Sequence, residues 1–200
     1  MKLLVVFLLV VLGCSLAEGR TMTKCDLRAQ LLNAMNKLPN DEIPIENEFL
    51  AKVVCHAELS SGFTTSAVNH LKPGTEDNHF MERQDILNSG NLQSVQNPEW
   101  HPDPAAQEGE VLVLSGIFQL SNNLVCNNGS NTSPNICETE CTKLQDDDIT
   151  DDISCLFEVY SNPDEGLAAD VLRRKIRQIR LIFQEECKSK TASEYFSDCA

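Results

Sequence analysis

Apolar residues recur with helical spacing in four segments of the chain. Over residues 24–38, Leu27, Leu31, Leu32, Met35 and Leu38 share one face, and Thr23 with Asp26 has the form of a capping box. A second helix opens near Glu46, carries the stripe Phe49, Leu50, Val53, Val54 and Ala57, and can close at Gly62. A third follows Thr150, a good N-cap, with Ile153, Leu156, Phe157 and Tyr160 at i, i+3, i+4 and i+7. The fourth takes Asn162 as its cap and Pro163 as its first helical residue. Its apolar face is Leu167, Val171, Leu172, Ile176, Ile179, Ile182 and Phe183. Strand signal is scarce; residues 111–114 and 116–120 are the candidates.

Between Leu71 and Glu110 the pattern lapses into a long polar stretch holding Pro73-Gly74, Ser89-Gly90, the lone Trp100 and several further prolines. It reads as a loop, a polar insertion at about residues 70–113. A 42% hydrophobic share is enough for a core, but aromatics are only 6%, so that core must lean on Leu, Ile, Val and disulfides. With 30 acidic against 16 basic residues, a net charge of −14 argues against nucleic acid and against adhesion to anionic membranes. The fourth helix runs against that trend with Arg173, Arg174, Lys175, Arg177 and Arg180. A solvated face, or one answering the protein's own carboxylates, competes there with a docking surface for an anionic lipid or glycan.

Met1-Lys2, the apolar run of residues 3–12 and the small residues after it read as a cleaved leader covering residues 1–19. The run is about half the length a membrane-spanning helix needs, so no transmembrane anchor is expected. Ser15/Ala17 and Ala17/Gly19 both offer the small residues a signal peptidase requires. Cys14 leaves with the leader, and eight cysteines remain: 25, 55, 126, 137, 141, 155, 187 and 199. An even count in a secreted chain implies four disulfides, and composition leaves their pairing open. Zinc is the rival, but Cys137 and Cys141 lack a second close pair or a histidine. Asn128-Gly-Ser and Asn131-Thr-Ser are glycosylation acceptors if exposed.

The strongest chemical signal is the run Asp146, Asp147, Asp148, Asp151, Asp152, five carboxylates in seven positions. Such crowding is costly without a cation, and hard oxygens at this density suit calcium. The EF-hand pattern is absent, with Phe157 where its terminal Glu belongs. Cys141 and Cys155 bracket the run, so disulfides can hold its ends in place. A solvated acidic run at a helix N-terminus is the plain alternative.

The stretch from Asn135 through the acidic run to Cys155 closely resembles the calcium elbow of the α-lactalbumins, within the c-type lysozyme superfamily. Gly116-Ile-Phe-Gln-Leu-Ser-Asn122 resembles the superfamily's central strand motif, and residues 61–67 the stretch after its second helix. Thr23-Lys-Cys-Asp-Leu27 resembles its mature N-terminus, where the first cysteine is sixth; cleavage after Gly19 makes Cys25 sixth. The resemblance implies an α+β, lysozyme-like fold, a helical α-domain with a small β-domain and a calcium elbow, as a single domain over residues 20–200. It implies the pairs Cys25–Cys199, Cys55–Cys187, Cys126–Cys141 and Cys137–Cys155. Calcium is then held by the carboxylates of Asp146, Asp151 and Asp152 and the backbone carbonyls of Lys143 and Asp148, with Asp147 pointing away.

The departures bear on activity. Lysozymes of this superfamily carry a general-acid Glu five residues after the second cysteine, which here is Ser60, and an Asp twelve residues before the third, which here is Leu114. A retaining glycosidase needs both carboxylates, so no catalytic residue is expected. The resemblance to α-lactalbumin implies a secreted, monomeric milk protein without activity of its own. As the regulatory subunit of lactose synthase, it turns a β-1,4-galactosyltransferase towards glucose. The partner surface of the α-lactalbumins falls here on Glu58, Leu59, Phe196 and Ser197, with Tyr195 adjacent; Leu59, Tyr195 and Phe196 are the candidates for contact. A lysozyme-like glycan-binding or hydrolysing defence protein is the alternative.

Overall fold

Thr23 opens the first helix as its spacing predicts: its Oγ1 accepts the Asp26 amide at 3.1 Å and donates to Asp26 Oδ2 at 2.7 Å. In the computed structural model, which describes residues 19–37, 47–71, 111–129, 133–161 and 166–199, this helix is α1, Lys24–Met35. Helix α2 is Asn47–Ser61, and its predicted stripe is buried throughout. It ends at Gly62, whose φ of +58° would be strained for another residue. Helix α3, Asn122–Val125, is a single turn; α4 is Thr150–Ser161 and α5 is Ala169–Ile182. Two short helices, α6 (Glu185–Lys188) and α7 (Ala192–Tyr195), pack with α5 against α2. Three rings meet at the edge of the core: Phe49 lies 4.4 Å from Tyr160 and 5.9 Å from Phe183, centroid to centroid.

The strands are short. β1 (Val68–Leu71), β2 (Leu112–Ser115) and β3 (Leu120–Ser121) form one sheet in that order, with Leu114 opposite Ser121 and Ser115 opposite Leu120. β4 (Cys126–Asn127) pairs in parallel with β5 (Thr139–Glu140). The second strand expected, residues 116–120, is mostly a turn: Gly116 and Gln119 have φ of +78° and 48°. The apolar signal there came from Ile117 and Phe118, which the turn buries completely. The chain divides into two units, His70–Val113 and the remainder. Most of the polar stretch with Trp100 lies outside the described residues, as do residues 1–18, Leu38, Glu46, Asn131, Asn162 and Pro163.

Helix α5 departs most from its pattern. It begins at Ala169, beyond Leu167, and Ile176 on the predicted apolar face is 39% exposed. The inward stripe is Val171, Lys175, Gln178 and Ile182, spaced i, i+4, i+7 and i+11. Gln178 turns inward because β3 and the turn before it offer partners: its Oε1 accepts the Ser121 amide at 2.8 Å and its Nε2 donates to the Gln119 carbonyl at 3.2 Å. Gln178→Ala will strand both backbone groups in the core and lower stability by about 3 kcal/mol, read as a lower urea midpoint at constant slope. A loss under about 1 kcal/mol would mean that the two groups find other partners.

Four disulfides close the architecture: Cys25–Cys199, Cys55–Cys187, Cys126–Cys141 and Cys137–Cys155, the pairing that the resemblance implies. The first two span 174 and 132 positions and constrain the unfolded chain most. His56, beside Cys55, is 3% exposed and bonds through Nε2 to the Phe118 carbonyl at 3.1 Å. Burial pushes its pKa down to about 4, so it is neutral in the core at pH 7.

Candidate functional site

Leu144 and Ile149 are fully buried anchors on either side of Asp146, Asp147 and Asp148, of which Asp147 and Asp148 are exposed. A single helical turn, Lys143–Gln145, enters the loop and α4 leaves it. The Asp148 amide donates to Asp146 Oδ1 at 2.9 Å, and the Thr150 amide to Asp148 Oδ1 at 3.0 Å. Thr150, the expected cap, is instead the first residue of α4, and its amide is held by Asp148 from just outside the helix. Hydrogen bonds from Thr150 hold the Asp148 carboxyl below its usual range. Lys143 is exposed, its Nζ 3.4 Å from Asp146 Oδ2.

Asp151 and Asp152 begin α4 and differ from the rest. Asp152 is 1% exposed, its Oδ2 has no hydrogen-bond partner, and Asp151 Oδ1 is likewise buried and unpartnered. Burial, then the neighbouring Asp151 charge, pushes the Asp152 pKa up to about 8; burial raises Asp151 as well. Asp152 Oδ1 occupies the space that a Cβ on Gly116 would take, so the glycine in the central motif makes room for this carboxylate. Two acceptor-only oxygens buried without donors suit a hard cation.

The acidic side chains have not all been drawn together. Among the described residues, three such ligand atoms come within 4.8 Å of one another only at Cys25, Asp198 and Cys199. Both of those sulfurs are spent in a disulfide and Asp198 pairs with Lys24 at 2.6 Å, so that cluster offers no thiolate to a metal. Asp147 has a role that its sequence position did not signal. Its Oδ1 accepts the Arg20 amide at 2.8 Å and the Thr65 hydroxyl at 3.1 Å.

The two positions expected to lack catalytic carboxylates lie on α2 and β2. Ser60 turns its hydroxyl back onto the His56 carbonyl at 2.6 Å, and Leu114 is 5% exposed. The nearby carboxylate, Glu58, accepts the Tyr195 hydroxyl at 2.6 Å. Of the partner-surface candidates, Leu59 is 56% exposed and Tyr195 half-buried. Phe196 is 5% exposed with the Arg28 guanidinium 4.8 Å over its ring, so it belongs to the core rather than to a contact surface. Asn128 is exposed just beyond β4.

A sequence profile of the C-type lysozyme/alpha-lactalbumin family matches residues 107–199. The lysozyme C of Colobus angolensis is 26% identical over 192 residues, covering 96% of this chain and 97% of that protein. The lysozyme of Equus asinus superposes with a TM-score of 0.50 at 24% identity, over 90% of this chain and 99% of that one. Residues 107–199 thus carry the sequence pattern of the C-type lysozyme/α-lactalbumin family, and the fold is lysozyme-like. Within the superfamily, the milk isozyme of lysozyme C from Equus caballus is 36% identical over 84 residues. That match covers 42% of this chain and spans 57% of the relative's length. Apo-type canine milk lysozyme has a TM-score of 0.51 and a calcium-binding lysozyme from equine milk 0.48, each at 24% identity. These relatives are lysozymes, so the likeness is to the superfamily and not to its α-lactalbumin branch in particular.

Proposed function

We propose that the chain is a secreted, monomeric, calcium-stabilised member of the superfamily that works by binding rather than by hydrolysis. One observation carries this: the two positions that hold the lysozyme carboxylates are a serine bonded to its own helix and a buried leucine. Glu58 is engaged by Tyr195 and is no ready substitute. Retaining glycosidic cleavage needs a proton donor and a second carboxylate, and Ser60 and Leu114 supply neither. Calcium fits the elbow because Asp151 and Asp152 hold buried oxygens without donors. Asp146, Asp151 and Asp152, with the Lys143 and Asp148 carbonyls, would hold it. The bound cation supplies charge compensation and a cross-link between the elbow and α4.

The regulatory reading makes the partner a β-1,4-galactosyltransferase, met through exposed Leu59 and the half-buried Tyr195. Two measurements test it. Purified protein is expected to leave a peptidoglycan suspension turbid, and to raise transfer of galactose to glucose when added to the transferase. Clearing of the suspension would overturn the non-hydrolytic reading, and unchanged transfer would remove the regulator. The named relatives favour the second reading, a glycan-binding protein of the lysozyme kind. Retention on chitin without cleavage would select it.

A further inference from the structure

Five cations crowd helix α5, and the fold sorts them into two groups. Lys175 is 3% exposed, and Arg174 turns its guanidinium onto the Asn123 carbonyl at 2.7 Å and the Asp170 carboxylate at 3.7 Å. Arg173 and Arg180 are exposed and Arg177 half-buried. At 3.6 residues per turn these three fall within an arc of about 60° and span about 10 Å along the axis. Lys175 and Gln178 stand on the opposite side of the helix, and Ile176, beside the arginines, is 39% exposed. No acidic residue occurs between Val171 and Gln184, in a chain that has 30 of them. The arginines have contacts within the molecule. A guanidinium carries five N–H donors, so an internal contact leaves others for an incoming oxyanion.

We propose that the outward face of α5 is a binding stripe for sulfated glycan chains, with Arg173, Arg177 and Arg180 taking successive sulfate groups. The charge of the body selects the shape of the partner. At a net charge of −14, a broad anionic surface such as a membrane or a nucleic-acid duplex meets the acidic remainder of the protein and is repelled. A slender chain laid along one stripe meets the three cations, while carboxylates farther off than about 8 Å are screened at physiological salt. Seating in a membrane also needs a free apolar face, and Val171, Ile179, Ile182 and Phe183 of this segment are turned to the core. Sulfates remain ionised at neutral pH and present paired oxygens that match the guanidinium fork. Neither bound calcium nor the transferase is required for this contact.

The oxidised protein is passed over immobilised heparin, a densely sulfated glycan, and its Kd is read at several salt concentrations. Binding is expected, with a log–log salt slope of about −2 to −3. Arg173→Gln together with Arg180→Gln is expected to weaken it about tenfold or more and to flatten that slope by about 2. The charge-matched pair Lys37→Gln and Lys190→Gln, also at exposed positions, is expected to change the Kd less than about threefold. Equal losses from the two pairs would reduce the effect to net charge and overturn the stripe. So would no binding, equal affinity for desulfated heparin, or tighter binding to phosphatidylserine vesicles or duplex DNA. Because replaced arginines can unsettle the helix, the parent is also treated with phenylglyoxal, with and without heparin, and the modified residues are located by mass spectrometry. Heparin is expected to shield Arg173 and Arg180 and to leave exposed Arg20 as reactive as before. Unchanged modification of Arg173 and Arg180 overturns the proposal.

Discussion

Asp152→Asn is expected to abolish the calcium-dependent rise in melting temperature while making the metal-free protein more stable. In the parent, calcium at about a thousand times its Kd adds on the order of 4 kcal/mol, worth roughly 8–16 °C in a domain of this size. The amide cannot bring the negative charge that a hard cation requires. Without metal, the same carboxyl is a burden, since burial lifts its pKa from 3.8 to about 8. A raised folded-state pKa means that the folded chain holds a proton that the unfolded chain releases. Stability is then fully present below the unfolded value and is lost as pH climbs from about 4 to about 8. By pH 7 the penalty is on the order of 4 kcal/mol, which the asparagine avoids. His56 has the opposite slope: its pKa falls from 6.5 to about 4, so its contribution is present above 6.5 and lost as pH drops. Above pH 6.5 His56 is therefore silent. Melting curves in chelator are expected to fall with rising pH for the parent and to stay nearly flat for Asp152→Asn. A calcium response preserved in the variant would place the ion elsewhere.

Gly116→Ala is expected to cost about 3 kcal/mol and to weaken calcium uptake at the same time. The glycine has φ of +78°, which a Cβ makes unfavourable. The new methyl would also strike the Leu144 carbonyl and Asp152 Oδ1, one a rigid backbone group and the other a proposed calcium ligand. The loop and α4 must shift to admit it. Denaturant midpoints with and without calcium check both parts. A neutral substitution would show that the turn relaxes freely and that Gly116 does not shape the elbow. The control is Gly62→Ala, where φ is +58° but nothing lies within 4 Å; it should show the backbone cost alone and leave calcium binding unchanged.

Three helices were legible because each carries a continuous apolar stripe that its own spacing places on one side, from Leu27 and Leu31 to Ile153 and Leu156. α5 was legible as a helix but not in its rotation. Its pattern put Ile176 inward; Gln178 faces inward instead, because the Ser121 amide and the Gln119 carbonyl gave a side-chain amide more to gain than a branched alkyl group. Residues 116–120 looked like a strand because buried apolar runs in strands and in tight turns read alike.

What the chain determined by itself was local: helical stripes, a capped start at Thr23, cysteines bracketing an acidic loop, and no carboxylate at positions 60 and 114. Such features depend on residues a few positions apart, and their physics is written in the spacing. Tertiary structure decided which loop aspartates are buried without donors, that Glu58 answers Tyr195 across 137 positions, and that Asp147 meets the Arg20 nitrogen across 127. Those outcomes depend on desolvation and on partners brought together only by folding, and no local pattern encodes either.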